Sequence, residues 1–187
     1  MQNALANIVG NLPQHLSERT RAVGDATILS TGEFVLYRLH HAMRAHENPA
    51  LDVAVTVANQ LDVPVLVSQA VSERYPYASD RHHTFMLEGA RDLQSQFRER
   101  GIPYAFHLER RHHRGPYLRE LALRAALVVT EETPVDPLRS WTNRLASTTP
   151  TPVVSVDTAC VAPMQLVGQA YTRAFQFRKA TQRICDQ

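Results

Sequence analysis

Two cysteines, Cys160 and Cys185, are all that this 187-residue sequence contains, and they do not stand in a Cys-x-x-Cys spacing. A disulfide framework and a zinc knuckle are thereby excluded, because each needs paired or clustered thiols, and two reduced thiols are expected instead. No apolar run approaches the roughly 18 residues that a membrane span requires. The first ten residues lack the charged and apolar regions of a secretory leader, so a cytoplasmic protein with no membrane partner is expected. Lysine is almost missing: Lys179 is the single lysine among 20 basic residues, and 18 acidic ones leave a formal charge of only +2. That excess is too small for net charge to drive nucleic-acid binding. Gly-x-Gly-x-x-Gly, the Walker loop and the Gly-x-Ser-x-Gly elbow are all absent, which removes the best support for ordinary dinucleotide binding, phosphoryl transfer and hydrolase chemistry. Nine histidines are present, yet none forms a His-x-x-x-His or Glu-x-x-His pair on a helical segment. The neighbours His82-His83 and His112-His113 point in different directions, so no metal site is expected.

What is there is an ordinary folded composition, 44% hydrophobic and 20% charged, on a chain long enough for one core that buries about 70% of its unfolded surface. Residues 1–32 show no sustained apolar period and read as a lead-in with one short helix. From Phe34 onward a unit repeats: a short apolar run, a polar turn, then a segment of helical period. The runs are residues 34–39, 63–67, 102–108, 126–130 and 152–156. Asn48-Pro49 and Asp136-Pro137 each place a capping side chain before a proline whose missing N–H costs nothing at a helix start. A long helix over residues 79–100 should bury His82, Phe85 or Met86, Gly89 or Ala90, Leu93 and Phe97, and Gly101 should end it in a left-handed conformation. A later helix carries Leu138, Trp141 and Leu145 on one face, which puts Trp141 in the core. From Met164 the chain reads as polar and loosely structured.

Five apolar strands alternating with four helical segments define an α/β fold: a doubly wound, mostly parallel five-stranded, Rossmann-like sheet with helices on both faces. Ligands of such sheets bind beyond the strand carboxyl ends, near the point where strand order reverses. The turns there carry His40, His41 and Arg44, then Gln69 and Glu73, Glu109 and Arg110, Glu131 and Glu132, and Asp157. Each could hydrogen-bond a hydroxyl, ring amide or phosphate, but strand ends are usually polar because they meet water, and each taken alone reads first as an ordinary solvated strand end. Glu131-Glu132 is not read as an acid/base pair, because adjacent residues at a strand end diverge.

The segment Tyr75-Pro76-Tyr77-Ala78-Ser79-Asp80-Arg81-His82-His83-Thr84-Phe85-Met86-Leu87-Glu88-Gly89 closely resembles the N-terminal domain of class II DNA photolyases, which read Tyr-Pro-x-Ala-x-x-Arg-His-Tyr-x-Phe-Met-Leu-x-Gly. The resemblance extends in order from Gly32 to Pro163, through Val35-Leu36-Tyr37, Arg44, Asn48, Ala50-Leu51, Arg100-Gly101-Ile102, Leu127-Val128-Val129-Thr130, Arg139-x-Trp141 and Val154. The sequence departs from the family at Arg38, where tryptophan often stands, and after the fourth strand, where Glu131-Glu132-Thr133-Pro134-Val135-Asp136 replaces an Arg-containing turn.

The resemblance implies an antenna-type α/β domain over residues 33–163, with residues 1–32 leading in and residues 164–187 forming a tail or linker. It implies a deazaflavin as the antenna pigment and a helical domain, in cis or in trans, that binds FAD and splits pyrimidine dimers by light-driven electron transfer. This chain then contacts damaged DNA only indirectly and has no catalytic residues of its own; FAD enters only through a helical domain that the sequence does not contain. A pigment pocket is expected from Leu39, His40, Arg44, Gln69, Glu109, Glu131 and Asp157. Two alternatives stand beside it: a non-enzymatic interaction module that self-associates or binds a partner, and a nucleotide-binding α/β protein.

Overall fold

The computed structural model describes residues 8–24, 31–74 and 79–185. The expected loop through Tyr75-Pro76-Tyr77 lies outside the described residues. Six strands, β1 (Thr20–Val23), β2 (Phe34–Leu39), β3 (Val65–Ser72), β4 (Tyr104–Glu109), β5 (Ala125–Glu131) and β6 (Val153–Val156), form one sheet in the order β1-β6-β5-β2-β3-β4. Strands β2 to β6 are parallel, and β1 runs antiparallel along the β6 edge. The chain moves outward from β2 through β3 to β4, returns to β5 and moves outward again to β6. Strand order therefore reverses between β2 and β5, and a doubly wound α/β sheet results. The five expected parallel strands are all present. The sixth adds to the reading of residues 1–32 as a lead-in with one short helix: Thr20–Val23 is only four residues long and its ladder partner lies far along the chain.

The helices are α1 (Gln14–Ser17), α2 (Pro49–Leu61), α3 (Asp80–Glu99), α4 (Tyr117–Arg124), α5 (Leu138–Thr148), α6 (Met164–Val167) and α7 (Ala174–Cys185). Asn48 caps α2 through its Oδ1, which accepts from the amides of Ala50 at 3.1 Å and Leu51 at 3.2 Å, with Pro49 first in the helix. Ser79 caps α3, and Gly101 follows it at φ 67°, in the left-handed region expected of it. Asp136 opens α5 from one residue further out than a standard cap, its Oδ1 accepting the Ser140 amide at 3.2 Å.

Helices α2 and α3 close one face of the sheet over Val35, Tyr37, Val67, Val129 and Val154, while α4 and α5 close the other over Leu36, Val128 and Val153. All seven residues of β5 are buried, which is why the central strand is an unbroken apolar run rather than an alternating one.

Two expectations about burial and one about the segment after Met164 fail. On α3 only Ala90, Leu93 and Phe97 are buried, whereas His82 and Phe85 are exposed and Met86 is only half-buried. A 20-residue helix spans about 30 Å, longer than the strands it packs on, so its N-terminal half overhangs the sheet. Trp141 is 45% exposed rather than core, because Thr142, one position on, turns inward with Leu145. The segment after Met164 is helical over α6 and α7, although α7 buries none of its residues.

Candidate functional site

At the reversal between β2 and β5 the central group is Glu131, the last residue of β5, whose side chain is fully buried. Its Oε1 accepts from the Tyr37 phenol at 2.6 Å and the His40 amide at 3.2 Å. Its Oε2 accepts from the His41 amide at 2.5 Å and the Ala42 amide at 3.0 Å, and lies 2.9 Å from His41 Nδ1. Successive backbone amides converging at a strand-to-helix loop are the device by which α/β folds hold phosphates. Here the loop after β2 gives its three amides to a carboxylate of the chain itself. Burial works against ionisation of Glu131, but the bonds and charge from His41, then Tyr37, outweigh it and bring its pKa down to about 2. Burial and the Glu131 charge together push the Tyr37 phenol well above its ordinary value. Asn48 completes the network, its Nδ2 donating to the Tyr37 Oη and to the carbonyls of Ala42 and Arg44.

The remaining predicted residues divide by position. Leu39 and Gln69 are register partners on β2 and β3, both buried. Gln69 Oε1 accepts from the Tyr104 phenol, and its buried Nε2 has no partner among the described residues. Arg44 donates to the carbonyls of Glu47 and Thr158, tying the β2 loop to the turn after β6. In that turn the buried Asp157 carboxylate accepts the amides of Ala159, Cys160 and Met164. These residues and Glu131 lie around the ends of β2, β3, β5 and β6. Glu109 stands apart at the β4 edge, beside Arg74 and Arg114. His40 packs beside Trp141, ring centres 6.4 Å apart. Burial, then the Arg38 charge, lowers the His40 imidazole to a pKa of about 4, so it is neutral at physiological pH.

A polar row on the opposite side of the sheet from Glu131 was not expected. Arg38 is in register with Ser68 on β3 and Thr130 on β5, and Thr130 with Ser155 on β6. The half-buried Arg38 guanidinium makes no hydrogen bond or ion pair among the described residues, and burial lowers its pKa. The buried Thr130 Oγ1 also has no partner among the described residues. The one sequence signal was an arginine inside an otherwise apolar strand; Thr130 and Ser68 join it only through the register. Unsatisfied buried donors beside an exposed indole and a neutral imidazole suit a flat ligand carrying carbonyl or anionic oxygens.

The fold is a doubly wound α/β domain, and the candidate site lies at the strand carboxyl ends. The family model described as DNA photolyase matches residues 35–187, and the chain belongs to the DNA photolyase family. The chain is 30% identical over 149 residues to the deoxyribodipyrimidine photo-lyase of Methanothermobacter thermautotrophicus, a match covering 80% of this chain and 33% of that protein. It thus spans a third of the length of that curated relative. Among solved structures, a functionally unknown protein from Pseudomonas aeruginosa PAO1 superposes with a TM-score of 0.51 at 13% identity, over 84% of this chain and 60% of that one. A universal stress protein from Archaeoglobus fulgidus superposes with a TM-score of 0.46 at 17% identity, over 66% and 98%. Among the described residues no helix is long and apolar enough to cross a membrane.

Proposed function

We propose that this chain is the scaffold and antenna domain of a class II photolyase-type system for light-dependent repair of pyrimidine dimers, and that it is not catalytic alone. The redox chemistry belongs to FAD, held by a helical domain that docks in cis or in trans. The observation that carries this reading is α7: it lies within the family match, buries none of its residues, and leaves Phe175 63% and Phe177 49% exposed. An aromatic face of that kind calls for a covering partner. The helical photolyase domain is the occupant that the family membership supplies.

The antenna role rests on the Arg38 row. Glu131 already occupies the amides of the β2 loop, so a deazaflavin would lie on the other side of the sheet, its ring on His40 and Trp141 and its carbonyl oxygens facing Arg38 and Thr130. Leu39, Gln69, Arg44 and Asp157 then shape the supporting edge, and Glu109 is its most distant member. When bound, the pigment supplies light absorption; the chain's residues orient it and exclude water.

The test is the near-ultraviolet and blue absorption of the purified chain after incubation with a deazaflavin and gel filtration, together with pull-down of a class II helical domain. A retained band that Trp141→Ala and Arg38→Met abolish is expected, as is capture that Phe175→Ser with Phe177→Ser abolishes. A blank spectrum overturns the antenna role, and failure of capture overturns the scaffold role.

A further inference from the structure

The carboxyl end of β4, at the sheet edge opposite β1, opens into a cavity of about 330 Å³ lined by His107, Leu108, Arg110, His113 and Tyr117. It shares no residue with the Arg38 row. Its wall contains a guanidinium, two imidazoles, a phenol and one aliphatic side chain, and no carboxylate. The two acids nearby are already engaged: Arg114 lies 2.5 Å from Glu73 and 3.8 Å from Glu109, and Arg74 lies 3.6 Å from Glu109. Arg110 and Arg111 are left without an ion pair among the described residues. The turn is closed by the His113 amide donating to the Arg110 carbonyl at 2.9 Å, with His112 at φ 69°. That closure brings the Arg110 and His113 side chains to the same cavity. His107 stands against Tyr117 with ring centres 4.1 Å apart, and its buried Nε2 has no partner among the described residues.

An unpaired guanidinium with no opposing acid in the wall selects an anion, and imidazole groups beside it add hydrogen-bonding atoms for the several oxygens of a phosphate. A lone phosphate would leave most of the volume empty, since its four water-sized oxygens at about 30 Å³ each take up only about a third of it. The two rings and Leu108 supply the flat and apolar surface that a base requires. We propose that this cavity binds a nucleotide, with its phosphate on Arg110 and His113 and its base against Tyr117, His107 and Leu108. The nucleotide is either free or one unit of a strand, because both present the same phosphate and base.

The full chain is titrated with AMP, with adenosine and with a labelled thymidine oligonucleotide at one fixed salt concentration, and the His107 ring signals are followed by NMR in the unsubstituted protein. Binding of AMP but not adenosine, with a shift of the His107 signals and weakening of about tenfold or more in Arg110→Ala, supports a site for free nucleotides. Binding of the oligonucleotide alone, with the same shift and the same sensitivity, supports a site that reads one unit of a strand. Absence of both, equal binding of adenosine and AMP, unmoved His107 signals, or full affinity in both Arg110→Ala and His113→Ala overturns the proposal. The pigment absorption does not enter this test, so the two assignments stand or fall separately.

Discussion

Replacing Glu131 by glutamine isolates the charge at the centre of the β2 loop, because the side chain keeps its shape. The favoured amide orientation follows from the donors around it. The amides of His41 and Ala42 require an acceptor, so the glutamine oxygen takes the Oε2 position, and its NH₂ faces the Tyr37 phenol. Tyr37 can then donate to Asn48 Oδ1, 3.3 Å away, and only the His40 amide loses its partner. The cost is therefore mainly that of the charge. The carboxyl is held at about 2 against an ordinary 4.5, and at ~1.4 kcal/mol per pH unit that gap corresponds to about 3 kcal/mol. A depressed carboxylate pKa stabilises the folded state above the unfolded value, so this contribution is complete above pH 4.5 and is lost as pH falls toward 2. Urea unfolding followed by circular dichroism at pH 7 should show Glu131→Gln about 3 kcal/mol less stable, with a flatter acid profile. His40 adds a separate slope: its lowered pKa destabilises the folded state as pH falls from 6.5 toward 4, in both proteins. A loss under about 1 kcal/mol, or acid profiles that superimpose, would refute the electrostatic account of the loop.

Asn48→Ala removes the α2 cap and three donated hydrogen bonds together and should cost about 2 to 3 kcal/mol in the same assay. Asn48→Asp should restore the cap but not those bonds, and so recover only part of the loss. Gly32→Ala would place a Cβ 2.1 Å from the Ala126 backbone nitrogen, where no side chain can yield; a loss of about 3 kcal/mol or more, or insoluble protein, is expected. Thiol titration with an aromatic disulfide should be fast at the exposed Cys185 and slow at Cys160, where burial and then the Asp157 charge raise the thiol pKa. Equal rates at neutral pH would contradict the assigned environment of Cys160.

The parallel strands were legible because each is a buried apolar run between turn residues, and helix ends were legible where Asn48, Ser79 and Gly101 act locally. The errors have a common physical origin in packing partners that local pattern does not contain. Phe85 and Met86 have the spacing of a core face, but the sheet ends before it reaches them. Trp141 and Thr142 differ by one position on α5, and hydropathy favours the wrong one. β3 extends through Ser68-Gln69-Ala70-Val71-Ser72, a stretch whose polar composition hid the strand that the β4 ladder secures.

The candidate site shows the same limit more sharply. Strand ends could be listed from the sequence, but the face toward which each side chain turns depends on register. Glu131 and Thr130 are neighbours in the chain and lie on opposite sides of the sheet, one saturated by the β2 loop and the other unpartnered. Arg38 stands in register with Thr130, and its half-buried guanidinium feels the Glu131 charge but makes no hydrogen bond among the described residues, so a ligand or a docked domain that completed its hydrogen bonds would stabilise it. The departure from the family at Arg38 and the departure at Glu131 can therefore be read as parts of one arrangement. An acid closes the amide loop on one side, while on the other side stands a guanidinium with no ion pair among the described residues, the group on which the proposed pigment site rests.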